Sequence, residues 1–419
     1  MMMMKLILAI FFVYMFAGAQ YIFIPEDEEQ KNHLKAYGVM YYALQEGIEG
    51  WWLLNWKGGS FLIPYSSKVE KECLRRGVTY RIILEDEKNQ IFNTIADEKI
   101  NADAVKLEKA PKVAVYAPKY YQPWDDAVML VLTYAEIPYD VIYDKEVLSD
   151  ALIKYEWVHL HHEDFTGQYG KFYGTFRNTQ WYIEQVRESE ETARSLGFNK
   201  VSKMKLAVAL KIREYVMGGG YLFAMCSGTD ALDIALAAHN TDICDAVFDG
   251  DPPDPDFQQK MDWSYAFAFQ NATIITNPYI YEFSDIDATP EHEKLGEQND
   301  YFILFDFSAK YDQIPAILTQ NHTKVIKGFM GQTTAFRKSK IKPGVIILGE
   351  SPQVGSVKYL YVQVGLGQVT YYGGHDPEDY KHYVYDPPTN LDLFPNSPGY
   401  RLILNNVLFP AARKKPRKT

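Results

Sequence analysis

From Lys112 onward, short apolar runs alternate with longer stretches in which apolar positions recur every three or four residues. Residues 113–116, 139–143, 157–161 and 221–225 read as buried strands. Residues 124–136, 145–153, 180–196 and 202–216 have helical spacing, the last with Val208, Ile212, Tyr215 and Val216 on its inner face. Residues 272–276, 301–305, 345–348, 357–364 and 367–372 are further strands, and 240–300 reads as a polar, proline-bearing irregular insertion. Strands alternating with helices predict an α/β fold: a doubly wound, mostly parallel sheet with helices on both faces. Its ligand crevice lies beyond the carboxyl ends of the strands.

Residues 20–110 pattern differently and predict a small α+β domain ahead of the α/β domain at 111–413. Residues 32–44 have helical spacing with Leu34, Tyr37, Tyr41 and Leu44 on one face. Residues 51–63 read as two strands around Gly58-Gly59, and 78–84 as another. Trp51, Trp52 and Trp56 suit either a small core or a sugar-stacking surface. Before this domain, Lys5, an apolar run from Leu6 to Phe16 and Ala17-Gly18-Ala19 form a secretory signal over residues 1–19, with the mature chain starting at Gln20. The apolar run is too short to span a bilayer. The expectation is an exported protein, periplasmic or extracellular and soluble. Residues 414–419 are a basic tail.

Composition narrows this little. Of 419 residues, 47% are hydrophobic and 23% charged, enough for a substantial core. A net charge of -11 argues against nucleic acid as the partner. The three cysteines leave two readings open: Cys73 paired with Cys244 and Cys226 free, or all three free and buried.

The chemistry gathers at three predicted strand ends. Gly218-Gly219-Gly220 leads into the strand 221–225, then Cys226-Ser227-Gly228 and a helix. A cysteine at that junction sits on a sharp turn with helix N–H groups behind it. The second loop is His161-His162-Glu163-Asp164-Phe165-Thr166-Gly167, and the third Gly373-Gly374-His375-Asp376-Pro377-Glu378. A cysteine, a histidine and a carboxylate at strand ends suit nucleophilic acyl chemistry.

On these residues, the stretch from about 112 to 413 resembles the class I glutamine amidotransferase-like superfamily, in its trehalose-utilisation-like branch. Met225-Cys226-Ser227-Gly228 is similar to its nucleophile elbow, with Ala224 in place of the leading glycine. His375-Asp376-Pro377-Glu378 is similar to its His-Pro-Glu with an aspartate inserted, so Asp376 or Glu378 would orient His375. The resemblance implies a flavodoxin-like fold and a catalytic set of Cys226, His375, Glu378 and Asp376, with His161, His162, Asp164, Gly167 and Ser227 around substrate and oxyanion. The chain also resembles an exported family often labelled asparagine synthetase B. That label has no support here, since no Ser-Gly-Gly-x-Asp-Ser loop and no cysteine at the mature N-terminus are present.

The run from His159 to Asp164 is a candidate for metal, but strand alternation sets His162 opposite His159 and His161, so substrate binding is the preferred reading. No nucleotide motif is present, and neither cofactor nor metal is called for. The expectation is an exported cysteine-dependent amidase or hydrolase acting on a small-molecule amide. The alternative is a non-catalytic periplasmic module binding glycan or protein, with a vestigial site. The sequence names no partner for the first domain.

Overall fold

The computed structural model describes residues 19–312 and 314–413. The apolar segment expected as a signal and the basic tail at 414–419 lie outside the described residues. The strands are β1 Gln20–Ile24, β2 Gly50–Leu54, β3 Ser60–Pro64, β4 Arg81–Leu84, β5 Asp103–Leu107, β6 Val113–Tyr116, β7 Asp140–Ile142, β8 Trp157–Leu160, β9 Tyr221–Met225, β10 Tyr301–Leu304, β11 Val325–Lys327, β12 Phe336–Arg337, β13 Ile346–Ser351, β14 Ser356–Val364 and β15 Gly367–Tyr372.

The first five form an antiparallel sheet in the order β4-β1-β3-β2-β5. Period-two alternation divides its two faces. Ile22, Ile24, Trp52 and Phe61 enter one core, while Phe23, Leu53 and Leu62 enter a second beneath Ile91 and Ile95 of the helix Glu85–Ala96. The helix His33–Gln45 starts where the Asn32 side chain accepts the Lys35 N–H. It buries Leu34, Tyr37, Met40 and Leu44 in the first core.

The remaining strands form a ten-stranded sheet in the order β11-β10-β13-β14-β15-β9-β8-β6-β7, with β12 on β14. Its parallel part is β15-β9-β8-β6-β7, and every other pairing is antiparallel. The sheet is therefore mixed and mostly antiparallel, which overturns the expectation of a mostly parallel, doubly wound flavodoxin-like fold. The cause is local. Gly365-Leu366 returns β14 directly into β15, with Val364 opposite Gly367, and a two-residue hairpin permits only antiparallel pairing. Beyond β14, no crossover helix separates β13 from β14. The strand expected at 272–276 is reduced to a single bridge, Ile274 with Ser284.

The helices Val201–Met217 and Ser227–Ala237 cover one face of the parallel part, where Val208, Ile212, Ala231 and Ile234 meet Leu222 and Ala224. On the other face the helices Ala127–Tyr134 and Pro398–Leu408 share one continuous core with the first sheet. Arg401, fully buried, ties that junction. Its Nε donates to Tyr37 Oη at 3.0 Å, Nη1 to Glu26 O at 3.0 Å and Nη2 to Gly58 O at 2.5 Å; the buried Glu26 carboxylate lies 3.6 Å from Nε. Tyr37 Oη in turn donates to Asn405 Oδ1 at 2.5 Å. No helix of the described residues is long and apolar enough to cross a membrane.

Candidate metal centre

Strands β8, β9 and β15 run parallel and in register, with Leu160 opposite Ala224, and Tyr371 and Tyr372 opposite Ala224 and Met225. Their following loops therefore emerge side by side. Backbone bonds tie them: Gly228 N–H donates to His161 O at 2.7 Å, and Cys226 N–H to Gly374 O at 3.2 Å. His375 N–H donates to Met330 O at 2.9 Å.

Into this edge project four imidazoles. Ring centroids lie 4.7 Å apart for His161 and His162, 4.6 Å for His161 and His375, and 4.6 Å for His375 and His382. The ligand atoms of His161, His162 and His375 all lie within 4.8 Å of one another, as do those of Asp125, His375 and His382. Strand alternation had set His162 apart from His161. Because β8 ends at Leu160, both histidines lie in the loop, where alternation no longer applies.

A hydrogen-bonded carboxylate orients the His382 ring, and a second carboxylate faces His161 and His159 without a hydrogen bond. Asp126 caps the helix Ala127–Tyr134, its Oδ1 accepting Val128 N–H at 2.7 Å and Met129 N–H at 3.0 Å. The same carboxylate faces His161 Nδ1 at 3.3 Å and His159 Nε2 at 3.5 Å. His382 Nδ1 donates to Asp379 Oδ2 at 2.8 Å, leaving its Nε2 facing Asp125 Oδ1 at 3.2 Å. Such a carboxylate behind an imidazole fixes the tautomer that presents the far nitrogen to a metal. Burial, reinforced by the neighbouring imidazoles, holds His162 and His375 well below the usual histidine range, so both are neutral.

Both ring nitrogens of His161, His162 Nδ1, His375 Nε2, His382 Nε2 and both Asp125 oxygens are buried without a hydrogen-bond partner. Each such atom costs about 1–3 kcal/mol if left unmet. An ion in either triad would meet the ligand atoms of that triad and remove their share of the cost. Imidazole nitrogens with one carboxylate are the donor set of zinc and similar transition ions. The residues therefore fit a divalent metal, which the sequence reading had set aside. Asp125, Asp126, Asp379 and His382 were missed as ligands or supports. Their signal was weak: an acidic pair before a helix, and a second histidine shortly after His375.

Glu163 lies beside the cluster. Its Oε2 accepts the His161 N–H at 3.0 Å, and its Oε1 is buried without a partner. Burial, reinforced by Asp126, pushes its carboxyl up to about 7.

Cys226 occupies the expected turn, at φ 47° and ψ -140°. A non-glycine residue there stores about 1–3 kcal/mol of strain. Its Sγ accepts the Gln332 N–H at 3.2 Å, and burial pushes the thiol up to about 11. Among the described residues no hydrogen bond joins Sγ to the His375 ring, which turns to the other imidazoles. Neither Asp376 nor Glu378 bonds to that ring; Asp376 Oδ1 accepts the Glu378 N–H at 2.8 Å. Ser227 is buried with Oγ unpartnered. Asp164 closes its own loop, accepting the Thr166 N–H and hydroxyl at 2.6 Å and the Gly170 N–H at 3.1 Å. Gly167, at φ 87°, packs on the backbone of Ser202. Cys73, Cys226 and Cys244 are all free and buried, so no Cys73–Cys244 disulfide forms.

The chain matches no protein-family model. No curated relative matches it either. Among solved structures it is similar to the cytoplasmic protein STM3548 from Salmonella typhimurium, at 11% identity and a TM-score of 0.35, over 72% of this chain and 100% of that one. The cytoplasmic protein STM1381 from Salmonella typhimurium LT2 gives 12% identity and a TM-score of 0.35, over the same shares. The exo-beta-1,4-mannosidase Op5Man5 from Opitutaceae bacterium strain TAV5 gives 14% and 0.24, over 63% of this chain and 31% of that one. Similarities this weak assign no family, and none points to the amidotransferase-like superfamily.

Proposed function

We propose that this chain is a metal-dependent hydrolase, with a zinc-class divalent ion held by His161, His162, His375, His382 and Asp125. The observation that carries the reading is two triads of buried ligand atoms, His161-His162-His375 and Asp125-His375-His382, that share His375. Such an ion supplies Lewis acidity toward a carbonyl or phosphoryl oxygen. The protein's own groups do the rest. Asp379 fixes the His382 ring by a hydrogen bond, the Asp126 charge faces His161, and the neutral rings of His162 and His375 offer lone pairs. Glu163 takes the proton of the attacking water through Oε1. The water oxygen bonds to the substrate carbon or phosphorus, the bond to the leaving group breaks, and Glu163 returns the proton to that group.

The test is metal analysis of the purified protein, before and after chelation, with zinc titration by calorimetry. Stoichiometric binding that weakens at least about tenfold in Asp126→Ala supports the reading. Absence of zinc binding by the folded chain refutes it. We infer that the protein acts outside the cytoplasm, on the leader at residues 1–19; a mature N-terminus other than Gln20 contradicts this.

A cysteine-dependent amidase at Cys226 is the second reading, favoured by the strained turn and the Gln332 N–H aimed at Sγ. It requires the His375 ring to leave the imidazole cluster and take the thiol proton. Rapid alkylation of Cys226 that slows in His375→Ala supports it, and equally slow labelling of all three cysteines removes it.

A further inference from the structure

A third triad of ligand atoms adjoins the cluster. Asp126, His159 and His161 each bring one such atom within 4.8 Å of the others, and all three side chains are buried. The strand β8 supplies His159, the loop after it His161, and the N-cap of the helix Ala127–Tyr134 supplies Asp126.

His159 fixes the chemistry. Its Nδ1 lies 3.1 Å from Phe223 O, a carbonyl that can only accept, so Nδ1 carries the ring proton. In the neutral ring Nε2 is then a bare lone pair, and it faces Asp126 Oδ2 at 3.5 Å. Two acceptors facing each other in a dry interior repel unless a cation lies between them. A proton does not suit the spacing. A charge-assisted N–H···O bond closes to about 2.7–2.9 Å. His159 Nε2 and His161 Nδ1 stand 3.5 and 3.3 Å from Asp126, and neither nitrogen makes a hydrogen bond. Those separations are edges of a tetrahedron: ligands about 2.0–2.2 Å from a zinc-class ion lie about 3.3–3.6 Å apart. The supporting bonds are in place as well. Phe223 O holds the His159 tautomer, and the N–H groups of Val128 and Met129 hold Asp126 Oδ1.

We infer that Asp126, His159 and His161 form a second metal site, which takes a divalent transition ion of the zinc class. It shares no residue with the outer triad Asp125-His375-His382, and each of two consecutive aspartates serves two imidazoles. The centre is then binuclear. The inner ion ties the end of β8 to the start of the helix Ala127–Tyr134 and places positive charge behind the outer one. The inner site stands on its own geometry; its pairing with an outer ion rests on the metal reading above.

The experiment counts zinc per folded chain by mass spectrometry after chelation, reloading and desalting. The wild type should hold two equivalents. His159→Gln, whose amide can still donate to Phe223 O, should hold one. The double variant His162→Ala with His382→Ala leaves the inner triad intact and should also hold one. Zinc content unchanged by His159→Gln, or none in the folded double variant, overturns the inference. Where circular dichroism shows that His159→Gln does not fold, the double variant decides alone. Failure of the outer site looks different: the wild type then holds one equivalent, which His159→Gln removes and the double variant keeps. A folded wild type that holds no zinc overturns both.

Discussion

Replacing Arg401 by alanine should separate the two sheets energetically. The guanidinium is the common partner of Tyr37 Oη, Glu26 O and Gly58 O, and it is the cation nearest the buried Glu26 carboxylate. Both Glu26 carboxyl oxygens already lack a hydrogen bond. Burial already raises the Glu26 carboxyl well above its ordinary value against the pull of Arg401, so without Arg401 it rises further, and two carbonyls lose their donors. Removing one partner of a buried pair costs about 3–5 kcal/mol. The cost should appear as a lowered urea midpoint at pH 7 with little change in slope. Glu26→Gln with Arg401→Met, which removes both charges and keeps most of the volume, should recover more than half of the loss. A loss under about 1 kcal/mol in Arg401→Ala would mean water reaches the junction, and the reasoning from burial would be wrong.

Three further outcomes follow from named contacts. Gly228→Ala places a Cβ 2.6 Å from His161 O, a backbone atom that cannot swing away, so it should cost about 1–3 kcal/mol and weaken zinc binding; unchanged calorimetric affinity would refute the tie between turn and cluster. Asp379→Asn should weaken zinc binding about tenfold without altering thermal stability of the chelated protein, because it acts through His382 Nδ1. Burial, helped by Arg401, holds His33 down at about 4 and His322 down at about 3, with the rings stacked at 4.2 Å. The unfolded chain therefore takes up protons first: this stability is whole above about pH 6.5 and is lost as pH falls toward 4, about 2–3 kcal/mol for His33. His33→Gln should flatten that slope in urea midpoints between pH 7 and 4.5, and an identical slope would contradict it.

The sequence pattern located strands on both sides of the large sheet, 357–364 and 367–372 among them, as well as the helix at 32–44 and the hairpin around Gly58-Gly59. Residues 113–116 and 221–225 are buried apolar runs, and the strands occupy those spans. Strand direction is another matter. Apolar periodicity is the same for parallel and antiparallel strands, so β10 and β13 could not be oriented without their connections. The short turn Gly365-Leu366 was the legible clue that β14 and β15 run oppositely, and it was outweighed by the alternation upstream. The site divides in the same way. His161, His162 and His375 stood out because they follow predictable strands. Asp125 and His382 lie in irregular chain, where no period constrains side-chain direction, and only tertiary packing brings them to His375. Cys226 was foreseen at its turn, but the direction of the His375 ring was set by three imidazoles that the linear sequence does not show as neighbours.

The junction at Arg401 also bears on how the chain reaches this state. Arg401 and Glu26 are separated by 375 positions, and Tyr37 and Asn405 by 368. Closing a loop of that length costs on the order of 5 kcal/mol in chain entropy before any contact offsets it. Until the helix Pro398–Leu408 has been synthesised, one face of the first sheet, with Trp52 and Phe61, has no complete cover. Folding should therefore be slow, concluded only after that helix is available, and exposed meanwhile to misassembly through that uncovered face. The final helix sets the clock for the whole molecule.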